Sequence, residues 1–163
     1  MEEQIHQWFS HIQQPREQLG GHSICPYARQ AILKKQYNIQ TTELQYIRRD
    51  VEVCDVQKYK VCIFPLKDYQ QYTTQELEAL TKGLNEEFIK YDKVVLDNDP
   101  RNPFMLNGVT TTFEHCYLWI VQSLSDLTQK HSALKQTTYY SNWTQEQIDY
   151  IIVTGKQIGR AHV

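Results

Sequence analysis

Two short stretches with apolar side chains on both faces constrain this chain more than anything else in it. From Tyr59 to Phe64, Val61 and Ile63 point one way in an extended chain and Cys62 and Phe64 the other. Glu114 to Val121 carries apolar side chains on both faces as well. A strand of that kind is central in a covered sheet. Lys93 to Leu96 reads as a short strand and residues 42–48 as an edge strand.

The helices come from a different period. Ile5, Trp8, Phe9 and Ile12 fall at i, i+3, i+4 and i+7, the stripe of a short helix that Pro15 ends. Gly20-Gly21 breaks the chain before a second helix from about Pro26, with Ala28, Ala31, Ile32 and Leu33 on its face. Thr73 and Glu76 form a capping box ahead of Leu77, Leu80, Leu84 and Phe88. Ser123 caps a helix bearing Leu124, Leu127 and Leu134. Thr144 with Gln147 repeats the box, and Trp143 and Ile148 are spaced as a hydrophobic staple.

The resulting order is ααββαββαα, with a crossover from Tyr59 through the helix to Leu96 that joins two parallel strands. The expectation is one α+β domain over residues 1–157, with a mixed, mainly antiparallel four-stranded sheet covered by helices. A chain of 163 residues suits a single domain of this size.

The net charge of -2 gives no basic stripe for nucleic acid, since Arg48-Arg49 and Lys34-Lys35 are offset by Glu43, Asp50 and Glu52. No apolar run approaches the roughly 20 residues that cross a bilayer. Met1-Glu2-Glu3-Gln4 is the reverse of a secretory leader, so a cytoplasmic, membrane-free protein is expected. Cys25, Cys54, Cys62 and Cys116 lack zinc-knuckle spacing and are expected as free thiols in that compartment. Asn142-Trp143-Thr144 is then a sequon without a glycan.

His22-Ser23-Ile24-Cys25-Pro26-Tyr27-Ala28-Arg29 is the segment richest in chemistry. A cysteine just before a helix-opening proline sits where unpaired N–H groups and the helix dipole favour an anion, which lowers a thiol pKa. Arg29 adds positive charge one turn in, and His22 is placed to serve as a base. Cys25-Pro26-Tyr27 resembles the start of the glutaredoxin Cys-Pro-Tyr-Cys motif, with Ala28 in place of the second cysteine and a poor strand, Gly20 to Ser23, ahead of it.

Cys25-Pro26-Tyr27-Ala28 is also similar to the Cys-Pro-Phe-Ala motif of an uncharacterised bacterial family, a domain of unknown function. That family has a later segment rich in Asp, Asn and Pro, comparable with Asp97 to Leu118. Hypothetical proteins of marine phages resemble this corner and the stretch from Leu134-Lys135 to Trp143. The resemblance implies no known activity. The last six residues, Ile158 to Val163, resemble a translated sequencing adapter and are expected to be a non-native tail.

The loop Asp97-Asn98-Asp99-Pro100-Arg101-Asn102-Pro103, with Asn107 beyond it, offers carboxylates, an arginine and amides after a strand, where loops commonly carry function. Asp99, Arg101, Asn102 and Asn107 are its candidate binding residues. It lacks the closing Glu of a calcium-binding EF-hand. His115 and Cys116 point to opposite faces of a strand and cannot share an ion, and no metal or cofactor is expected.

Two readings follow. In one, the chain is an accessory or interaction protein whose partner is an unidentified protein or small molecule and whose Cys25 is structural. In the other, it is an enzyme using the Cys25 thiolate, with His22 as base and Arg29 and the 97–107 loop holding a small polar or anionic substrate.

Overall fold

The doubly apolar strands take the middle of the sheet. The computed structural model describes residues 1–151; the adapter-like tail lies outside them. Six helices are present among the described residues: α1 Glu2–Ile12, α2 Ala28–Leu33, α3 Ile47–Val53, α4 Thr74–Phe88, α5 Leu124–Lys135 and α6 Gln145–Ile151. The strands are β1 Tyr37–Ile39, β2 Val61–Pro65, β3 Lys93–Asn98, β4 Met105–Leu106, β5 Val109–Thr110 and β6 Leu118–Ser123. The main sheet runs β1-β2-β6-β3 and β4-β5 is a separate hairpin. Strand β1 is parallel to β2, while β6 is antiparallel to both β2 and β3. The fold is α+β with a mixed, mainly antiparallel four-stranded sheet.

The alternation read from the sequence sorts the side chains onto two faces. Cys62, Phe64, Val95, Trp119 and Val121 pack with Ile47 and Val51 of α3 and Leu77, Leu84 and Phe88 of α4. On the opposite face Ile63, Leu118 and Ile120 meet Ile5, Phe9 and Ile12 of α1 and Ala28 of α2. Val94 and Leu96 meet Leu124 and Leu127 of α5. Helices α1, α2 and α5 therefore share one face of the sheet, but α1 and α2 cover its β2 side and α5 its β3 side.

Local signals account for most boundaries. Thr73 accepts from the Glu76 N–H and Glu76 accepts from the Thr73 N–H, closing the capping box at α4. The same exchange joins Thr144 and Gln147 at α6. Asn107 and Gly108, both at positive φ, make the β4–β5 turn, as expected of a two-residue hairpin loop with Asn-Gly at its tip.

Three expectations need correction. Strands β2 and β3 do run in the same direction, but β6 lies between them, and the parallel pairing is β1 with β2. A strand with two apolar faces takes the position that helices cover on both sides, and β6 does so. Residues 42–48 are not an edge strand: Thr42 makes one bridge to Leu66, and Ile47 begins a helix. Ile47 and Val51, one helical turn apart, are both fully buried, which favours the helix. Finally, β6 starts at Leu118, so Glu114 to Tyr117 approach the sheet as irregular chain.

Strand β3 is an edge, and its outward backbone is closed by a side chain. Asn85 of α4 donates to the Val95 carbonyl and accepts from the Val95 N–H, both at 2.8 Å. An amide offers the donor and acceptor that a neighbouring strand would. Asn98 does the same for Phe113, with both bonds at 2.9 Å, and holds the 107–117 segment against the end of β3. No helix among the described residues is long and apolar enough to cross a membrane.

Candidate functional site

Between the two groups of helices on the β6 face lies a cavity of about 380 Å³. Its floor is sheet: Val61 and Ile63 of β2, Ile120 and Gln122 of β6, and Leu96 of β3. Trp8, Phe9 and Ile12 of α1 form one wall, with Ile24 to Ala28 and Ala31 beside them. The opposite wall is α5, through Leu127, Lys130, His131 and Leu134, continued by Tyr139 and Tyr140. Polar chain from Asp97 to Asn102 lies at one end.

Long-range hydrogen bonds hold the walls. Trp8 Nε1 donates to the Thr111 carbonyl (3.0 Å), and His11 Nε2 lies 2.6 Å from the Thr110 carbonyl oxygen, tying α1 to the hairpin. The Cys25 N–H donates to the carbonyl of Ile12 at the end of α1 (2.9 Å). The Tyr139 hydroxyl donates to the Ile24 carbonyl, and Tyr139, Tyr140 and Trp143 pack edge-on and tilted against one another. This aromatic cluster, with Leu19 and Leu106, fastens the C-terminal part of the described chain over the Cys25 corner.

The predicted residues separate into groups. Cys25 lines the cavity, together with Asp99 and Asn102. Helix α2 begins at Ala28 with Tyr27 as its N-cap, so Cys25 precedes the cap by two residues, in a turn closed by the Ala28 N–H on the Cys25 carbonyl. Burial pushes the Cys25 thiol up, and the Tyr27 and Ala28 N–H groups and the Lys130 charge offset this only in part. The expected low-pKa thiolate is therefore not the resting form. The cation beside Cys25 is Lys130, whereas Arg29 is exposed on α2. His22 turns away, with Nε2 3.0 Å from Thr138 Oγ1 and its ring edge-on to Tyr139.

Asp99 and Arg101 hold each other. The guanidinium donates Nε to Asp99 Oδ1 and Nη2 to Oδ2, both at 2.9 Å, and Nη1 to the Tyr72 carbonyl at 2.7 Å. Thr74 Oγ1 also donates to Asp99 (2.9 Å). Burial alone would raise the Asp99 carboxyl, but the bonds from Arg101 and Thr74 outweigh it and hold the group below its ordinary value. The pair anchors the loop to the start of α4. Asn107 donates to the Asn142 carbonyl (2.9 Å) and clips the hairpin to the C-terminal segment.

The sequence reading missed the α5 wall. Lys130 and His131 fall at i+3 and i+4 from Leu127, on the same helical face as Leu134, and that placement was the available signal. Lys130 donates to Asp126 (2.9 Å) and lies over the Tyr27 ring at 5.2 Å. His131 Nδ1 lies 2.6 Å from the Tyr140 hydroxyl. Burial, aided by Lys135, pulls the imidazole pKa down and keeps it neutral. Among the described residues no group of three His, Cys, Asp or Glu side chains is placed to hold a metal ion.

A pair of thiols lies on the other face of the sheet. Cys54, at the C-cap of α3, donates its thiol to the Val51 carbonyl (3.3 Å), and its interaction with Cys62 of β2, with Lys93 nearby, lowers its pKa although burial opposes it. The same interaction and burial push Cys62 up. In the folded protein at pH 7, Cys54 is expected to alkylate with iodoacetamide faster than Cys25, whose rate keeps climbing above pH 9. Cys62→Ala should slow Cys54, and Arg29→Ala should leave Cys25 unchanged. Peptide mass mapping of the labelled sites reads all of this, and fastest labelling at Cys25 would contradict the assignment.

Comparison with protein-family models, with curated proteins and with solved structures found no match.

Proposed function

We propose that this chain is an accessory protein of the cytoplasm that binds a small, largely apolar molecule between the sheet and helices α1, α2 and α5. One observation carries the reading: the cavity of about 380 Å³ lined by aromatic and aliphatic side chains with a few polar groups. Protein interiors are packed as densely as organic crystals and rarely leave voids larger than a water molecule. Ligand sites fall in the range of roughly 300–1,000 Å³ and have this mixture of apolar walls and sparse polar contacts.

Cys25 belongs to that lining, and its raised pKa favours binding over nucleophilic chemistry at this wall. The test is a titration with N-phenyl-1-naphthylamine, a neutral aromatic probe that fluoresces when it leaves water. Saturable binding of one probe per chain is expected, and a linear, unsaturable signal would speak against the cavity.

A further inference from the structure

The cavity is electrically lopsided, and the register of the sheet shows in which sense. Lys60 immediately precedes β2, and its carbonyl accepts from Gln122 near the end of β6. Asp97 and Asn98 lie at the far end of β3, where Asp97 pairs with Trp119 and Asn98 with Leu118. From Leu118 to Gln122 is four residues of strand, on the order of 13 Å at ~3.3 Å per residue. Lysines therefore stand at one end of the cavity and Asp99 and Asn102 near the other, with Ile63, Ile120 and Leu96 between them. Asp97, aligned with Trp119, turns its carboxylate to the opposite face of the sheet.

Charge is left over at the lysine end. Lys130 reaches Asp126 at 2.9 Å, while Lys60 is 3.8 Å from the same carboxylate, outside hydrogen-bond range. All three side chains are between 24% and 33% exposed. Two ammonium groups against one carboxylate leave one positive charge in excess, and Gln122 beside them is a further donor. His131, the next titratable group on this wall, has its pKa lowered by burial and adds no further positive charge. At the other end Asp99 is offset by Arg101, and Asp97 accepts from the Tyr117 hydroxyl (3.0 Å). An apolar chamber with an under-neutralised cationic end, partly screened from water, selects a molecule with an apolar body and a negative head.

Resting on the binding function proposed above, we infer that the ligand is an amphipathic anion with an aromatic or other apolar body, its carboxylate or similar oxyanion seated at Lys60 and Lys130. The experiment is competition against bound N-phenyl-1-naphthylamine by two probes of similar size and opposite charge, naphthalene-1-carboxylate and 1-naphthylmethylammonium. The carboxylate should compete at least tenfold better. Lys130→Met and Lys60→Met should each shrink that ratio severalfold, and Arg29→Met, on the exposed face of α2, should preserve it.

Because the readout is a ratio within one variant, a general loss of affinity does not mimic the effect. Equal competition, preference for the ammonium, or a ratio unchanged in both lysine variants would overturn the inference while leaving the cavity reading intact. Failure of the neutral probe to bind would overturn the cavity reading, and the inference with it.

Discussion

Replacing Asn85 by alanine is expected to cost about 2–6 kcal/mol of stability, read as a lowered urea midpoint at unchanged slope. The side chain is 1% exposed and satisfies both backbone polar groups of Val95, a residue that is itself fully buried. Alanine leaves an N–H and a C=O without partners on the outer edge of β3, at roughly 1–3 kcal/mol each. That is a large share of the roughly 5–15 kcal/mol that hold an ordinary domain together. Glutamine should not rescue it, because its extra methylene displaces the amide from a fixed edge. A loss below about 1 kcal/mol would mean that the β3 edge does not depend on α4.

The second large effect is expected from filling the cavity. Ala31 of α2 lines it and is buried. Ala31→Phe directs a ring into space that the wild-type protein leaves open, so N-phenyl-1-naphthylamine affinity should fall at least tenfold. Stability should hold or rise, because the ring replaces void with apolar contact. Ile120→Phe, on the floor, is the independent check, and it should act in the same direction if α2 shifts to accommodate the first ring. Affinity unchanged in both variants, with the fold retained, would place the probe outside the cavity.

The two predictions draw on different levels of the sequence. The sheet was legible because Cys62, Ile63 and Phe64 and the Leu118–Val121 run bury both faces, and only central, covered strands do that. The capping boxes at Thr73 and Thr144 were legible because the residues that satisfy the first N–H groups are local. Helix α3 was hidden: residues 42–48 read as an edge strand, and its apolar stripe, Ile47 and Val51, spans a single turn. The bidentate amides of Asn85 and Asn98 were hidden too, since nothing near an asparagine in sequence reports a distant backbone partner.

The cavity was the least legible feature. Trp8, Ile63, Ile120 and Leu127 sit at ordinary core positions, and no periodicity distinguishes a side chain packed on a neighbour from one facing empty space. Cys25 stands out in the sequence only through the proline that follows it and the helix start that proline marks. The structure places Cys25 on the cavity wall but gives it Lys130 in place of Arg29, and burial in place of a free helix end. Asp99 and Arg101, read as candidate binding residues, hold each other.

The central claim is that the space between the sheet and helices α1, α2 and α5 receives a ligand, and methyl NMR during a titration tests it most directly. With N-phenyl-1-naphthylamine added to saturation, the methyl signals of Ile63, Ile120 and Leu127, which line the cavity, should shift together along one saturable curve. Those of Val51, Leu77 and Leu84, buried against α3 and α4 on the other face, should stay in place. Shifts confined to surface methyls such as Leu33 and Val53, or shared equally by the two faces, would contradict the account.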